Sequence, residues 1–566
     1  MNFFKKLTKI TTQILFVIVF ISFSPLNAKN LDKFNNADSI SNYFSGILLL
    51  NQSKYQDSFN YLKKLDGLEK IHKNYSKNYL YSLVNSGNLN YAFNFSKKLE
   101  KEKKDSFESD IIIGVYHFKN SKYHLSKKFF QKAKKRKSVS LLDNYIAESL
   151  FIWSDLVMND PERALFNLSQ IDERFQNLKK IQKVFLSCYF DDSQTEESFK
   201  NLTSDKKTDF SRYNFFYGKY LENKGEIIKA KKIISKSLKK NPRNLLLNQY
   251  KIDLELSKNS FEFNCKNKQH IVAELLYINA NAFSSQSIYQ VSNFYLNLSK
   301  YLNQNFHPFD ILLAENFYKI NDFDNSKKIY EKLTKKGIAF KWYSTKQICR
   351  ILIQEKNKEK SLNLLKKTFK ELYIKGLYET FDYAEFLKNN EKFESSIEHY
   401  SNILNRINKD HPLYAEATDG RGIAYERSGE WEKAEKDFLN SLEVSPNQAY
   451  VINYLAYSWI EQGIKIEKSL SMLEKANKLK SNDPYIIDSL GWALFKLKRY
   501  EESKEYLQLA LQLMPADPIV NDHYGDVLWK NGDEIQARYY WNYVLNLDEA
   551  EKDLKEKIEQ KLIKGL

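Results

Sequence analysis

The residues of this chain that are suited to chemistry are a few cysteines, histidines and paired carboxylates. Cys265 and His270 lie five residues apart, and in their segment they are the two plausible reactive groups. No HExxH, CxxC, GxSxG, GxGxxG or Walker-loop pattern occurs, so the spacings typical of zinc, acyl-transfer and nucleotide chemistry are missing. The sequence therefore predicts a protein that is not an enzyme, with no catalytic residue, no metal site and no cofactor.

The other polar candidates have structural explanations. His117 and His124 are the nearest two of the eight histidines, but the helical pattern assigns them to different helices. Glu501 and Glu502 begin a predicted helix, where negative charge interacts favourably with the helix dipole. We interpret both pairs as side chains that are hydrogen-bonded within the protein or exposed to solvent, rather than as metal-binding or catalytic sites.

The three cysteines are far apart in sequence and odd in number. Cys188, Cys265 and Cys349 match neither a disulfide framework nor a zinc motif, although an exported compartment would permit a bridge. Cys349 stands where the repeat described below requires a small side chain. We therefore expect all three to be buried as small apolar residues.

Residues 1–28 are typical of a secretory signal peptide. A lysine cluster precedes an apolar run from Ile14 to Phe23, and Ala28 offers a small residue for cleavage. A membrane span needs roughly 20 apolar residues and this run is about half that, so we expect cleavage, with retention as an anchor as the alternative. No later segment is apolar enough to cross a membrane. The sequence predicts an exported protein, periplasmic or envelope-associated.

The charge of the chain is unevenly distributed. The formal charge is +17, yet residues 415–549 hold 15 Lys+Arg against 23 Asp+Glu, a balance of −8, and residues 1–414 carry +24. Only eleven of the 88 cationic residues are Arg, the residue suited to base-edge and bidentate phosphate contacts. We expect no specific nucleic-acid partner, and acidic partners at the N-terminal array. Biased genomic composition is the alternative explanation of the lysines.

Small, large and proline residues recur at a spacing of 34. Pro446 follows Gly422 by 24 residues, Pro515 follows Gly491 by the same interval, and Gly525 lies 34 residues after Gly491. Small residues at two positions let antiparallel helices approach closely, large residues fill the space beside them, and proline ends the second helix. A glycine in the loop between the two helices is predicted to supply a left-handed helix stop, as at Gly429, Gly463 and Gly532. The residues predicted to pack in this way are Gly422, Tyr425, Ala434, Phe438, Pro446, Ala456, Gly491, Ala510, Pro515, Gly525 and Ala537.

This pattern resembles the tetratricopeptide repeat (TPR), most strongly in residues 415–549 and less strongly upstream. The C-terminal units are similar to those of exported repeat proteins of Gram-negative, alphaproteobacterial-type bacteria. The resemblance implies an all-α, right-handed solenoid of about twelve antiparallel helix pairs. Leu554, Ile558 and Leu562 form one apolar stripe, which predicts a C-terminal capping helix.

The pattern also divides the chain. The predicted segments are a signal peptide at 1–28, a degenerate N-terminal array at 29–250, a degenerate bend or set of repeats at 251–306, middle repeats at 307–414, well-formed repeats at 415–549 and a capping helix at 550–566. We leave open whether the array is one rigid superhelix or two arcs hinged near 251–306.

In this family the first helix of each unit lines a concave groove, and the resemblance implies that its second, fifth, ninth, twelfth and thirteenth positions face that groove. The residues of this chain at the fifth, ninth and twelfth positions that are predicted to face the groove are Asp419, Asn453, Tyr457, Asp488, Trp492, Phe495, Asp522, Asp526 and Trp529. We expect acidic groups beside exposed aromatics, suited to a basic and apolar segment of a partner. The alternative is structural, with aspartates that bridge neighbouring units and tryptophans that pack between them.

The sequence thus predicts a non-catalytic scaffold that binds other proteins in the bacterial cell envelope. A second interpretation is an accessory protein of polysaccharide export or glycan binding. It would require aromatic rings and lysines to share one continuous stripe. A hidden enzyme site around Cys265 and His270 is the third and weakest.

Overall fold

The computed structural model describes residues 34–136, 140–156, 160–372 and 374–566, and these contain helices and no strands. The prediction of an all-α fold is confirmed, whereas the handedness and the number of repeats remain predictions. The predicted signal peptide lies outside the described residues. Within them, no helix is both long enough and apolar enough to cross a membrane, and no cluster of side chains is suited to hold a metal ion.

The chain forms two compact units, Met1–Lys370 and Glu371–Leu566. The helices of the N-terminal unit are α1 (Ala37–Asn51), α2 (Tyr55–Leu62), α3 (Lys73–Asn85), α4 (Leu89–Lys101), α5 (Phe107–Lys119), α6 (Tyr123–Lys134), α7 (Leu141–Asp155), α8 (Pro161–Ser169), α9 (Gln176–Phe190), α10 (Thr195–Thr203), α11 (Tyr213–Asn223), α12 (Ile227–Lys240), α13 (Leu245–Leu256), α14 (Lys268–Ser285), α15 (Tyr289–Leu302), α16 (Pro308–Lys319), α17 (Phe323–Leu333), α18 (Ile338–Gln354) and α19 (Lys358–Glu371).

The helices of the C-terminal unit are α20 (Leu377–Asn389), α21 (Phe393–Leu404), α22 (Leu413–Arg427), α23 (Trp431–Val444), α24 (Ala449–Glu461), α25 (Ile466–Leu479), α26 (Pro484–Lys496), α27 (Tyr500–Leu513), α28 (Pro518–Lys530), α29 (Glu534–Leu545) and α30 (Lys552–Lys564). Local signals account for their ends. Asp483 and Asp517 cap α26 and α28, each followed by proline at the first helical position. Gly429 and Gly532 take left-handed φ angles of 78° and 88° after α22 and α28, which confirms the predicted helix stops.

The two helices of a pair meet at the small residues of the repeat. A Cβ atom at Gly491 would lie 2.7 Å from Leu507, and one at Gly525 would lie 2.5 Å from Trp541 Nε1, so no larger side chain fits at these crossings. In several pairs a serine of the second helix donates a hydrogen bond to the carbonyl twelve residues earlier. These bonds are Ser58 to Gly46, Ser126 to Gly114, Ser326 to Ala314, Ser361 to Cys349 and Ser503 to Gly491.

The remaining residues predicted to pack in the repeats differ in burial. Four alanines and one large side chain are fully buried, namely Ala434, Phe438, Ala456, Ala510 and Ala537. Gly422 is also buried, and Tyr425 is half-buried. Pro446 and Pro515 are exposed, two residues after the ends of α23 and α27. The prolines therefore terminate helices without contributing to the core.

The helix pair α14–α15 covers the first helices of the N-terminal repeats. It contacts α3, α5 and α7, which are the first helices of three successive pairs. Asn85 Nδ2 donates to the carbonyl of Gln290 at 3.1 Å, and Lys119 Nζ donates to the carbonyl of Leu302 at 2.9 Å. One apolar core runs from Leu50 to Phe340 through this contact. The segment 251–306 thus closes onto the N-terminal repeats, an arrangement that its degenerate sequence pattern did not predict.

Cys188 and Cys265 are buried, as predicted, but the expectation that they form no disulfide is wrong. Cys188, in the last turn of α9, and Cys265, in the loop before α14, form a disulfide that closes 77 residues of chain. The packing of α14 against distant repeats brings the two residues together. The spacing of the cysteines in the sequence does not indicate that contact. Cys265 therefore has no free thiol to serve with His270. Cys349 is buried, as predicted, and its sulfur contacts the carbonyl of Ser361.

The last helix packs its apolar stripe on the final repeat. Ile558 is fully buried in the cluster formed by Val527, Leu528 and Trp541, and Leu554 and Leu562 lie against the same cluster. Each pair buries its apolar surface only against its neighbours, so the last pair needs such a cover.

Candidate functional site

The residues predicted to face a groove lie on four successive first helices of the C-terminal unit, α22, α24, α26 and α28. They are not all accessible. Asp488, Asp522, Asp526 and Trp492 are buried, with 6%, 8%, 3% and 7% of their surface exposed. Asp419, Asn453, Tyr457, Phe495 and Trp529 are half-buried. The expectation of exposed aromatics beside open carboxylates is therefore wrong for Trp492 and for three of the aspartates.

Asp488 bridges two neighbouring repeats. Its carboxylate oxygens lie 2.9 and 3.1 Å from Nδ1 of His523, so α26 is joined to α28. The His523 ring stacks on Trp492 with their centroids 4.0 Å apart, and Trp492 Nε1 donates to Glu461 at 2.6 Å. Burial lowers the pKa of His523, but the attraction of the surrounding aspartates outweighs burial and raises that pKa above its ordinary value. Asp488 thus bridges neighbouring repeats and Trp492 packs between them. This is the structural role that the sequence analysis gave as the alternative to partner binding.

Asp522 and Asp526 bind a lysine of the last helix. Nζ of Lys561 lies 2.6 Å from Asp522 and 2.7 Å from Asp526, and Trp541 Nε1 donates to Asp526 at 3.0 Å. Burial, reinforced by Asp522, raises the pKa of Asp526 to about 6, while Lys561 opposes the shift. The last helix therefore occupies the two carboxylates at the end of the predicted groove.

Asp419 and Asn453 stand at the other end of the row. Burial raises the pKa of Asp419 to about 6, and nearby Glu385 and Glu416 act in the same direction against Lys388. The side-chain oxygen of Asn453 is buried without a hydrogen-bond partner among the described residues. A buried amide oxygen without a donor is costly, so this position can accept a hydrogen bond from a bound molecule.

A cavity of about 520 Å³ opens between α24, α26, α28 and the start of α30. Its walls combine aromatic rings, carboxylates and small apolar surfaces, supplied by Arg427, Asn453, Tyr454, Tyr457, Tyr485, Asp488, Ser489, Asp517, Pro518, Ile519, Val520, Glu549, Glu551 and Leu554. Glu549 and Glu551 are exposed and have no ion-pair partner within 4 Å among the described residues. The site presents apolar surface and net negative charge, and we refer to it as the C-terminal cavity.

Three exposed side chains beside this cavity were missed by the assignment from sequence. Tyr450, Tyr485 and Ile519 are 54%, 59% and 43% exposed, and each is the second residue of its helix. They form a row on α24, α26 and α28. The signal was present in the 34-residue register, because the second position is one of those that the resemblance assigns to the groove. Lys561 and His523 carried no comparable signal, since their partners depend on tertiary packing.

The C-terminal unit is expected to become more stable by roughly 1–2 kcal/mol as the pH falls from about 8 to about 5. The folded-state pKa of His523 is raised, so its contribution is complete below its unfolded pKa and is lost as the pH rises through its folded pKa. The pKa values of Asp419 and Asp526 are raised to about 6, so ionisation above that pH costs stability in the folded unit and acidification relieves that cost. All three groups act in the same direction.

Urea unfolding followed by tryptophan fluorescence measures this effect, because five of the seven tryptophans belong to the C-terminal unit. Replacing His523 by asparagine should flatten the upper part of the profile. The groups that face His523 are Asp488, Asp522, Asp526, Tyr457 and Lys561. A His411→Asn variant, altered just before α22, is the matched control. A profile that rises with pH over this range would contradict the assignment.

Residues 313–549 match the family model described as Tetratricopeptide repeat. A TPR repeat-containing protein of Pseudomonas aeruginosa is 29% identical over 144 residues, which is 25% of this chain and 23% of that protein. The chain thus spans less than a quarter of the length of this relative.

Two solved structures are similar to parts of this chain. MamA from Desulfovibrio magneticus is 18% identical, with a TM-score of 0.27, over 31% of this chain and 97% of that one. A tetratricopeptide repeat protein from Parabacteroides merdae is 13% identical, with a TM-score of 0.37, over 45% of this chain and 97% of that one.

The family model and the curated relative agree with the resemblance seen in the sequence. Proteins built from these repeats are generally non-catalytic scaffolds that bind other proteins, and the repeats of this chain support that class of function. Residues 313–549, which carry the 34-residue register in successive helix pairs, are thus similar to the tetratricopeptide repeat family.

Proposed function

We propose that the chain is an exported, non-catalytic scaffold of the bacterial cell envelope, and that its C-terminal cavity holds a segment of another protein. The observation that carries this proposal is the cavity itself. It joins the exposed Tyr485 and Ile519 to the exposed carboxylates of Glu549 and Glu551, with Arg427 as the cation on its wall. Exposed aromatic and aliphatic anchors next to net charge are typical of a protein-binding surface.

The charges of the cavity define the partner. Its carboxylates favour a lysine or arginine, and the exposed ring of Tyr485 favours an apolar or aromatic side chain next to that cation. Lys561 already shows this chemistry inside the molecule, since its ammonium group binds Asp522 and Asp526 and lies 5.8 Å from the ring centroid of Trp541. A basic segment with apolar anchors is therefore the class of ligand that fits.

The disulfide supports export. Cys188 and Cys265 are bonded, and disulfides persist chiefly in oxidising compartments such as the bacterial periplasm. The predicted signal peptide agrees with this location. The proposal places the protein on the outer side of the cytoplasmic membrane, whether the leader is cleaved or retained.

Selection from a random peptide display library on the purified chain tests the proposal. We expect enriched peptides that carry lysine or arginine beside an apolar residue, and a Tyr485→Ser/Ile519→Ser double variant should bind them about tenfold more weakly. The matched control is Ile535→Ser/Tyr539→Ser, which removes side chains that are 87% and 67% exposed on α29, outside the cavity. Equal losses in both variants, or no enriched peptides, would overturn the proposal.

A further inference from the structure

In the N-terminal unit, the second helices of the repeats are the ones accessible to a partner. The first helices α3, α5 and α7 are covered by α14 and α15, and Gln269 also donates to the carbonyl of Lys119 at 2.8 Å across this contact. Most residues of α14 and many of α15 are buried, so the cover is part of the core rather than a loose flap. The cover leaves the second helices of these repeats, among them α4 and α6, exposed on the other side, and α2 adjoins α4 through the contact of Lys63 with Tyr91.

Exposed lysines lie on or just after each of these three helices. Lys101 and Lys135 stand 34 residues apart, at the ends of α4 and α6, and Lys63 and Lys64 follow α2. Lys128 lies on the exposed face of α6. All five are exposed, and no carboxylate among the described residues lies within ion-pair distance of them. Other lysines of the surface, such as Lys98 and Lys132, are paired with acidic side chains.

Aromatic rings lie within the same row of cations. Tyr91 is 57% exposed on α4, and Nζ of Lys63 lies 5.8 Å from its ring centroid. Tyr61 is 36% exposed, and Nζ of Lys64 lies 5.0 Å from its ring centroid. Exposed rings and ammonium groups thus lie together on α2 and α4, and Lys128 and Lys135 add exposed ammonium groups on and just after α6. We define Tyr61, Lys63, Lys64, Tyr91, Lys101, Lys128 and Lys135 as the outer stripe.

We propose that the outer stripe binds an acidic polysaccharide. The apolar face of a sugar ring packs against an aromatic ring, and Tyr91 presents its ring with a lysine on one side. Carboxylate groups repeated along the polymer would pair with successive lysines of α2, α4 and α6. The exposed rings of Tyr61 and Tyr91, each with a lysine beside it, distinguish this ligand from a general attraction to negative charge. The site lies in a different unit from the C-terminal cavity, so the two proposals succeed or fail independently.

Binding of polygalacturonate oligomers to the full chain, measured by calorimetry at physiological salt, tests the inference. We expect binding to the acid polymer and none to its fully methyl-esterified form, which has the same backbone without charge. Tyr91→Ala should weaken binding about fivefold, the size of effect that loss of one ring-stacking contact produces. Lys63→Ala/Lys101→Ala should weaken it further, and more strongly at low salt than at high salt.

The matched control is Lys231→Ala/Lys236→Ala, which removes the same charge from exposed lysines on the outer face of α12. It should leave the affinity unchanged within about twofold. Circular dichroism establishes that each variant is folded. An equal loss in the control, an unchanged affinity of Tyr91→Ala, or no binding of polygalacturonate would overturn the proposal. Tighter binding to phosphatidylglycerol vesicles that does not depend on Tyr91 would also overturn it, in favour of a membrane surface.

Discussion

Replacing Cys188 and Cys265 together by alanine is expected to lower the free energy of unfolding of the N-terminal unit by ~4 kcal/mol. The bond closes 77 residues of chain, and a crosslink of that span removes much of the conformational freedom of the unfolded state. It also ties α9 to the loop that precedes α14. Amide hydrogen exchange measures the loss. The most protected amides of α9 and α14 should exchange about a thousandfold faster in the variant.

The chemical state of the cysteines is checked on the same protein. Iodoacetamide added to the denatured but unreduced chain should modify Cys349 alone, and prior reduction should expose Cys188 and Cys265 as well. A Cys349→Ala variant serves as the control for exchange, because it removes a buried thiol without opening a loop. Three modified cysteines before reduction would contradict the disulfide and would remove the main support for export.

Replacing Arg212 by alanine is expected to destabilise the N-terminal unit by ~3–5 kcal/mol. Two guanidinium nitrogens of Arg212 donate to the carboxylate of Glu274 on α14, at 2.6 and 2.8 Å, and the guanidinium lies 4.2 Å from the ring centroid of Tyr277. Burial raises the pKa of Glu274, and Arg212 opposes that shift. Without Arg212 the buried carboxylate has no cation to compensate it, which is the costly way to break such a pair.

The pH dependence separates this cause from a loss of packing. In Arg212→Ala the folded-state pKa of Glu274 should rise further, so ionisation costs stability and the penalty should shrink as the pH falls below that pKa. An Arg212→Met/Glu274→Leu variant, which removes both charges, should recover much of the stability. Arg174→Ala breaks a fully exposed pair with Asp172 and should leave the unfolding midpoint unchanged. A penalty that does not vary with pH would assign the loss to packing.

Sequence pattern alone predicted the elements of this fold. The 34-residue register located small residues where helices cross, and Gly491 and Gly525 indeed leave no room for a Cβ atom. It placed helix stops at Gly429 and Gly532, and it predicted the stripe that buries Ile558. These features were predictable because each depends on residues within one or two helix pairs, where sequence separation and distance in space are closely linked.

The same register identified the helices around the C-terminal cavity but not the state of their side chains. Asp488 binds His523, and Asp522 and Asp526 bind Lys561, so carboxylates that the sequence pattern left open are neutralised inside the molecule. The exposed row that remains, Tyr450, Tyr485 and Ile519, follows from the second position of the repeat. Position in a repeat predicts which way a residue faces, whereas its partner depends on what packs opposite.

What the sequence determined by itself was the resemblance to the tetratricopeptide repeat, the helical architecture and the faces of the helices, because these follow from local periodicity. The tertiary structure alone decided the disulfide between Cys188 and Cys265 and the burial of α14 and α15 against α3, α5 and α7. It also decided the contact of Lys561 on the last helix with two aspartates that lie 39 and 35 residues earlier. These contacts join segments that local periodicity treats as independent, so only the path of the folded chain brings them together.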